Sequence, residues 1–414
     1  MKNIYKLLVG RIFTNVGDSI ILITLTWYIA KNYDSSIFLG VLTALIGVIE
    51  ACIIFVGPII DRYNVKKILI FSTLIQILLI SILYFLLELE MLNILSIYII
   101  LTLSVLFSSI IYPTESALIP KLVNSKSQIA RSNSLFQITY KGMDIVLDGL
   151  VGLLLSYLLL KNFLLINIII FLLALFAFKM LKLPSKQITN EVTNTNHSPF
   201  FKTYMYDLKK GLKFISQKTI LKLLIPLSII NLVITMISVV YPKISLNFGD
   251  NSYYYGLILF SNGIGIMIGL FISPKIINLF NFKNILCISF ATIASCWLLI
   301  LLILDNYFYI FLALLLIVNV IIGVINLSFI TAFQVIPPKD LLGRVNTTNE
   351  TLLSCLIPFG GLIGGILPDI YSDFKINFFL AFIICICISL FYYFDKDIKK
   401  IEKIENIERN DINV

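Results

Sequence analysis

Stretches of about 18 or more largely apolar residues recur along the whole chain, among them LLIPLSIINLVITMISVV (223–240) and YIFLALLLIVNVIIGVINLSFI (309–330). A helix rises about 1.5 Å per residue, so each stretch can cross a hydrocarbon core roughly 30 Å thick. Of the 414 residues, 59% are hydrophobic and 13% are charged. A soluble chain could not hide that much apolar surface, so the sequence reads as a polytopic membrane protein. The first apolar stretch carries Asp18, is long enough to span, and lacks a small-residue cleavage pattern. It is expected to be a span rather than a signal peptide.

Twelve spans are expected, near residues 10–30, 38–60, 68–88, 94–118, 133–157, 163–183, 220–246, 254–277, 284–304, 307–333, 345–369 and 374–394. With the N-terminus inside, 26 of the 32 Lys and Arg fall in inner loops, helix ends and termini. Lys31, Lys161 and Lys375 fall outside, while Arg11, Lys141 and Lys243 lie within or at the ends of spans. That bias places both termini in the cytoplasm of a cell-membrane protein. The net charge of +9 is accounted for by these loops facing anionic lipid, and nucleic acid is not an expected partner.

The longest polar stretch, 184–218, divides the chain. Its first part is rich in Asn, Thr and Ser, as flexible linkers are. Its second part spaces Phe201, Tyr204, Leu208, Leu212 and Ile215 at helical intervals among Lys209, Lys210 and Lys213. This pattern predicts an amphipathic helix on the inner membrane surface. The expected organisation is a six-helix half over 1–183, this linker, a second half over 219–396, and a cytoplasmic tail over 397–414. An internal repeat supports the division, since Pro120, Arg131 and Asn133 after the fourth span match Pro337, Arg344 and Asn346 after the tenth. Paired halves of this kind build many secondary transporters.

The six cysteines fall in apolar segments without a CxxC pair and read as small buried hydrophobes. The single histidine, His197, lies in the linker, so a proton carrier would have to be a carboxylate. No Walker A, HExxH or GxSxG pattern occurs, so neither an enzyme nor a bound metal or cofactor is expected.

Charges inside spans are costly facing lipid, by about 2.5–3.5 kcal/mol for Asp or Lys at a helix centre. They are therefore expected to face the bundle interior or an aqueous cavity. Asp18, Glu50, Glu115, Lys141, Asp144, Asp148 and Glu350 are the candidates. In the fifth span Gln137, Lys141, Asp144 and Asp148 are spaced four, three and four apart, which makes one helical stripe. Lys141 can pair with Asp144, leaving Asp148 a turn further on. Proton-coupling candidates are Asp18, Asp144, Asp148 and Glu50, with Lys141 as charge partner. Glu115 and Glu350 lie near span ends, where solvation or helix capping is an equal reading. Arg11 and Lys243 are placed to snorkel.

One motif is more specific. GPIIDRYNVKK (57–67) joins the second and third spans and resembles motif A of the major facilitator superfamily, with Gly57, Asp61-Arg62 and a basic end at Lys66 and Lys67. Gly17-Asp18 in the first span, with Ser36 and Gly40 opening the second, resembles macrolide-efflux-like and enterobactin-exporter-like members. The resemblance implies an all-α fold of twelve transmembrane helices in two six-helix halves. It implies a proton-coupled exporter of a small amphipathic organic molecule, expected to act as a monomer.

Motif A would supply an inner gate in which Asp61 caps the eleventh span and joins Arg62 and Lys66 in a breakable charge network. The spans that commonly line the cavity in this superfamily offer Trp27, Tyr28, Tyr112, Asn231, Asn319 and Asn326. There are departures from the pattern. Asn64-Val65 replaces the motif's Gly-Arg, the second-half loop 273–284 lacks Asp-Arg, and Leu147-Asp148 stands where exporters carry Gly-Pro. An importer of the same fold, and a non-transporting sensor or immunity protein, are the alternatives.

Overall fold

A computed structural model of the chain describes residues 2–52, 64–122, 126–181, 216–335, 349 and 351–395. Among them every regular element is a helix. In chain order these are α1 (Lys2–Asn32), α2 (Ile37–Cys52), α3 (Val65–Glu88), α4 (Ile94–Leu122), α5 (Lys126–Leu154) and α6 (Leu160–Lys179). They are followed by α7 (Lys218–Ser238), α8 (Tyr241–Phe248), α9 (Tyr253–Leu279), α10 (Phe282–Ile303), α11 (Phe308–Val335), α12 (Ile357–Tyr371) and α13 (Lys375–Phe394). Ten described stretches are long and apolar enough to cross a membrane. The remaining two of the twelve expected spans fall on α2, described for 16 residues, and on α5, whose 29 residues carry several charges.

Local chemistry sets the helix ends. Asn64 caps α3, its side chain accepting from the backbone N–H groups of Lys66 (3.1 Å) and Lys67 (3.3 Å). Pro242 and Pro358 occupy the first turns of α8 and α12, where a missing N–H costs no helical bond. Residues such as Phe71, Leu78, Phe85, Phe176 and Phe271 are exposed, as lipid-facing side chains are. The cysteines divide. Cys296 and Cys385 are buried and Cys287 is half-buried, whereas Cys52, Cys355 and Cys387 are exposed, so half of them are not the buried hydrophobes expected.

The helices form two compact units, Met1–Asn32 with Val48–Thr203 and Tyr33–Gly47 with Tyr204–Val414. The division therefore falls inside α2, not only at the linker. In the first unit α1 packs on α4, α5 and α6, and α3 packs on α4 and α6. In the second, α7 packs on α12 and α13, and α10 packs on α11 and α13. Most of the first unit's pairings thus recur in the second, as the sequence repeat implies.

The repeat extends to how each unit is tied at its ends. Lys66 Nζ donates to the carbonyls of Lys179 (2.9 Å) and Leu181 (2.6 Å) at the end of α6, and Lys6 Nζ to that of Met180 (3.0 Å). In the second unit Lys283 Nζ donates to the carbonyls of Tyr393 (2.6 Å) and Asp395 (3.4 Å) at the end of α13. Lys222 pairs with the Asp395 carboxylate at 2.6 Å. Helix C-termini present unpaired carbonyls and partial negative charge, so ammonium groups belong there. At the opposite ends Lys161 pairs with Glu88 and Lys375 with Asp305.

Candidate functional site

Among the described residues of the first unit, a cluster of buried charge lies between α1, α3 and α4. On α1, Arg11, Asn15 and Asp18 are spaced four and three apart and share one face. On α4, Ser108, Tyr112 and Glu115 have the same spacing. The two stripes bring their polar groups together. Asp18 Oδ1 accepts from Gln76 Nε2 of α3 at 3.0 Å, and Asp18 Oδ2 accepts from the Ser108 hydroxyl. Gln76 is fully buried. Two turns away, Arg11 Nε lies 3.8 Å from Glu115 Oε2, with both side chains buried. The Arg11 guanidinium carbon sits 5.7 Å from the centre of the Tyr112 ring. Among the described residues neither oxygen of Glu115 accepts a hydrogen bond.

Gly17 makes room for this arrangement. A Cβ there would lie 2.5 Å from the Phe171 ring of α6 and 2.9 Å from Asn167 Oδ1. The small residue lets α6 press close and leaves the adjacent Asp18 aimed at α3 and α4. The Gly-Asp pair singled out in the sequence thus has two separable jobs.

These contacts correct two expectations. Glu115 is neither solvated nor a helix cap but fully buried, and Arg11 does not snorkel but is 3% exposed against that carboxylate. The reason is length. α1 runs 31 residues, about 46 Å at 1.5 Å each, so Arg11 lies well inside the helix rather than at its tip. Lys243 is half-buried on α8 and donates to the Tyr33 carbonyl.

The remaining proton-coupling candidates lie on α2 and α5. Glu50 is exposed in the last turn of α2. Asp148 is half-buried on α5 and is not without a partner. Lys141 and Asp144 lie on the same helix, with side chains outside the described residues. Gly57, Asp61, Arg62 and Glu350 lie outside the described residues altogether. Lys67 is exposed, and Lys66 serves α6 as described above.

The cavity candidates also divide. Trp27 is buried and Tyr28 half-buried. Tyr112 lies under Arg11. Asn231 Nδ2 donates to the Leu353 carbonyl at 3.0 Å, and Asn319 Nδ2 to Asn262 Oδ1 at 2.8 Å. Both amides thus join neighbouring segments of the second unit. Asn326 is exposed on α11. Sequence reasoning passed over Gln76, Ser108 and Asn262, although the four-three spacing of Ser108, Tyr112 and Glu115 was there to be read.

The family model for the Major Facilitator Superfamily matches residues 7–357. The chain belongs to this superfamily. A search of curated proteins finds no match. Among solved structures this facilitator is similar to the nucleoside transporter NupG (11% identity, TM-score 0.70, covering 95% of this chain and 98% of that one). It is likewise similar to a bacterial homologue of the iron transporter ferroportin in an inward-facing state (14%, 0.70, 95% and 98%). A third is a bacterial homologue of the lysosomal transporter Spinster (13%, 0.66, 94% and 96%). At such identities the likeness shows the fold alone; that the chain is a multi-pass membrane transporter rests on the family match, and the cargo is left to chemistry.

Proposed function

We propose that this facilitator exports a small amphipathic organic molecule, such as a drug, a macrolide-like compound or a siderophore, in exchange for protons. The observation that carries the reading is the Asp18 carboxylate inside the first unit, bonded to two neutral donors from two other helices. Neutral donors can serve either protonation state of a carboxyl, and ionisable groups within spans mark proton and substrate paths. Glu115 and Arg11 add a second acid and one cation within the same cluster. Asp144 and Asp148 on α5 are the second proton site in this reading, with Lys141 as charge partner. Motif A, through Asp61 and Arg62, closes the inner side, while Lys66 holds the end of α6.

The cycle runs by alternating access. A carboxyl binds a proton from outside, releases it inside, and cargo moves the other way. A membrane potential contributes about 2.3 kcal/mol per charge per 100 mV, so one proton is a usable drive. Both termini lie in the cytoplasm and the protein acts as a monomer. The excess of Lys and Arg in the loops expected inside supports this topology. Reconstituted protein in vesicles with an imposed proton gradient tests the reading. A protonophore is expected to abolish cargo movement. Undiminished flux after the gradient collapses would sink proton coupling, and accumulation on the proton-rich side's opposite face would reverse the direction.

A further inference from the structure

A second charged cluster lies wholly within the second unit, where α2 begins. Asp369, in the last turn of α12, turns its carboxylate on that helix start. Oδ1 accepts from the backbone N–H of Ser36 at 2.8 Å. Oδ2 accepts from the backbone N–H of Ile37 at 3.1 Å and from the Ser35 hydroxyl. The first N–H groups of a helix have no partner within it, and a carboxylate is favoured at the positive end of the helix dipole. Lys243 of α8 donates to the Tyr33 carbonyl, and Asp34 and Asp369 both act on its charge.

Beneath this cap α2 and α12 meet along a glycine seam. A Cβ on Gly40 would lie 2.7 Å from the Gly361 carbonyl oxygen and 3.0 Å from Gly365 Cα. Such seams hold by close backbone approach rather than by interlocked side chains. Asp369 is exposed, so water can take over its hydrogen bonds when the helices part. The far end of α2, from Val48, belongs to the other unit. A tie on its first turn therefore acts on a helix that is continuous with both.

We propose that Asp369, assisted by Lys243, is a releasable latch on the start of α2, engaged in one transport state and broken in the other. Its strength then sets the balance between those states. The inference rests on the alternating-access reading, but not on the cargo or the proton. It also gives Ser36 and Gly40 physical roles. Ser36 offers a backbone donor to the latch, and Gly40 supplies the seam.

The test uses Ser36→Cys in a chain whose native cysteines are replaced. Ser36 contributes its backbone N–H to the latch and is 2% exposed, so a cysteine there is shielded while the latch holds. Reconstituted protein is treated with a membrane-impermeant maleimide from each face in turn, without cargo or gradient. Asp369→Ala is expected to speed labelling about tenfold, as loss of charge-assisted hydrogen bonds implies. Lys243→Gln should speed it less, and Asp369→Glu should return it toward the parent rate.

A folded Asp369→Ala variant, with unchanged melting temperature, that labels at the parent rate would overturn the latch. So would an equal acceleration by Asp305→Ala, which removes a carboxylate away from α2. If Asp369→Ala does not fold, Asp369→Asn and Lys243→Gln decide, and parental rates in both overturn the proposal. Faster labelling with protonophore-insensitive transport sinks proton coupling and leaves the latch. Parental labelling with protonophore-sensitive transport does the reverse.

Discussion

The two units share their fastenings and differ in their interiors. Lys6 and Lys66 hold the end of α6 as Lys222 and Lys283 hold the end of α13. Lys161–Glu88 and Lys375–Asp305 are likewise counterparts. Inside, the match fails. Among the described residues the first unit buries Arg11 and Glu115 beside Asp18, whereas the second buries amides and hydroxyls such as Asn319, Asn377 and Ser261. Charge withdrawn from water is expensive and neutral hydrogen bonding is cheap. The scaffold was thus duplicated with its ties, while the costly chemistry sits on one side. The comparison predicts that coupling belongs to the first unit and adhesion to the second.

The largest effect should follow from Asp18→Asn. The amide oxygen can still accept from Gln76 while its NH2 donates to the Ser108 hydroxyl oxygen, so the variant should fold. Gradient-driven cargo flux should fall to that of empty vesicles. Asn319→Ala, which removes an interhelical bond of the second unit, should keep the dependence on the gradient. If Asn319→Ala uncouples transport while Asp18→Asn does not, the division of labour is wrong.

Next comes stability. Arg11→Met leaves Glu115 buried without its cation, and breaking a buried pair in this way costs about 3–5 kcal/mol. Thermal unfolding in detergent should show a large loss, and Arg11→Met with Glu115→Leu together should recover much of it. A single Arg11 variant as stable as the parent would mean that the pair contributes nothing.

These predictions fall on residues of unequal legibility in the sequence. The span positions and the repeat could be read because long apolar runs and a recurrent loop pattern are local signals, and Asp18 stands out only as a charge within the first run. The Glu115–Arg11 pair could not, because helices apolar on most sides do not announce which face meets which neighbour. Span ends set by hydropathy also misplace a charge that lies a few turns inside a long helix, as with Arg11. Asp369 was passed over for a related reason, since a carboxylate at a span end looks solvated until a second helix start is brought to it. The staples were half legible. Asn64-Val65-Lys66 and Asn281-Phe282-Lys283 repeat the same pattern, but the second loop's lack of an Asp-Arg pair hides the kinship.

A smaller effect separates the two jobs of the Gly17-Asp18 pair. Gly17→Ala would push a methyl against the Phe171 ring, and overpacking of this kind costs about 1–3 kcal/mol. Melting temperature should fall while the residual folded protein keeps its dependence on the gradient. Gly17→Ala combined with Phe171→Leu should restore stability. Loss of coupling at unchanged stability would instead assign Gly17 to the proton path.

The smallest effect sharpens the comparison most. Lys66 belongs to motif A, whereas Lys283 stands in a loop that lacks the motif's Asp-Arg pair, yet both donate to carbonyls at the end of a neighbouring helix. A cation at a helix C-terminus is worth about 0.3–1 kcal/mol. Lys66→Ala and Lys283→Ala should therefore lower stability by similar, small amounts. If Lys66 is a staple alone, the two variants should also transport alike. If it joins Asp61 and Arg62 in the inner gate, Lys66→Ala should change the transport rate well beyond Lys283→Ala at matched stability. The staple geometry leads us to expect equal transport, with Asp61→Asn showing the larger defect. A Lys66 variant as impaired as Asp61→Asn would make the lysine part of the gate and break the symmetry of the fastenings.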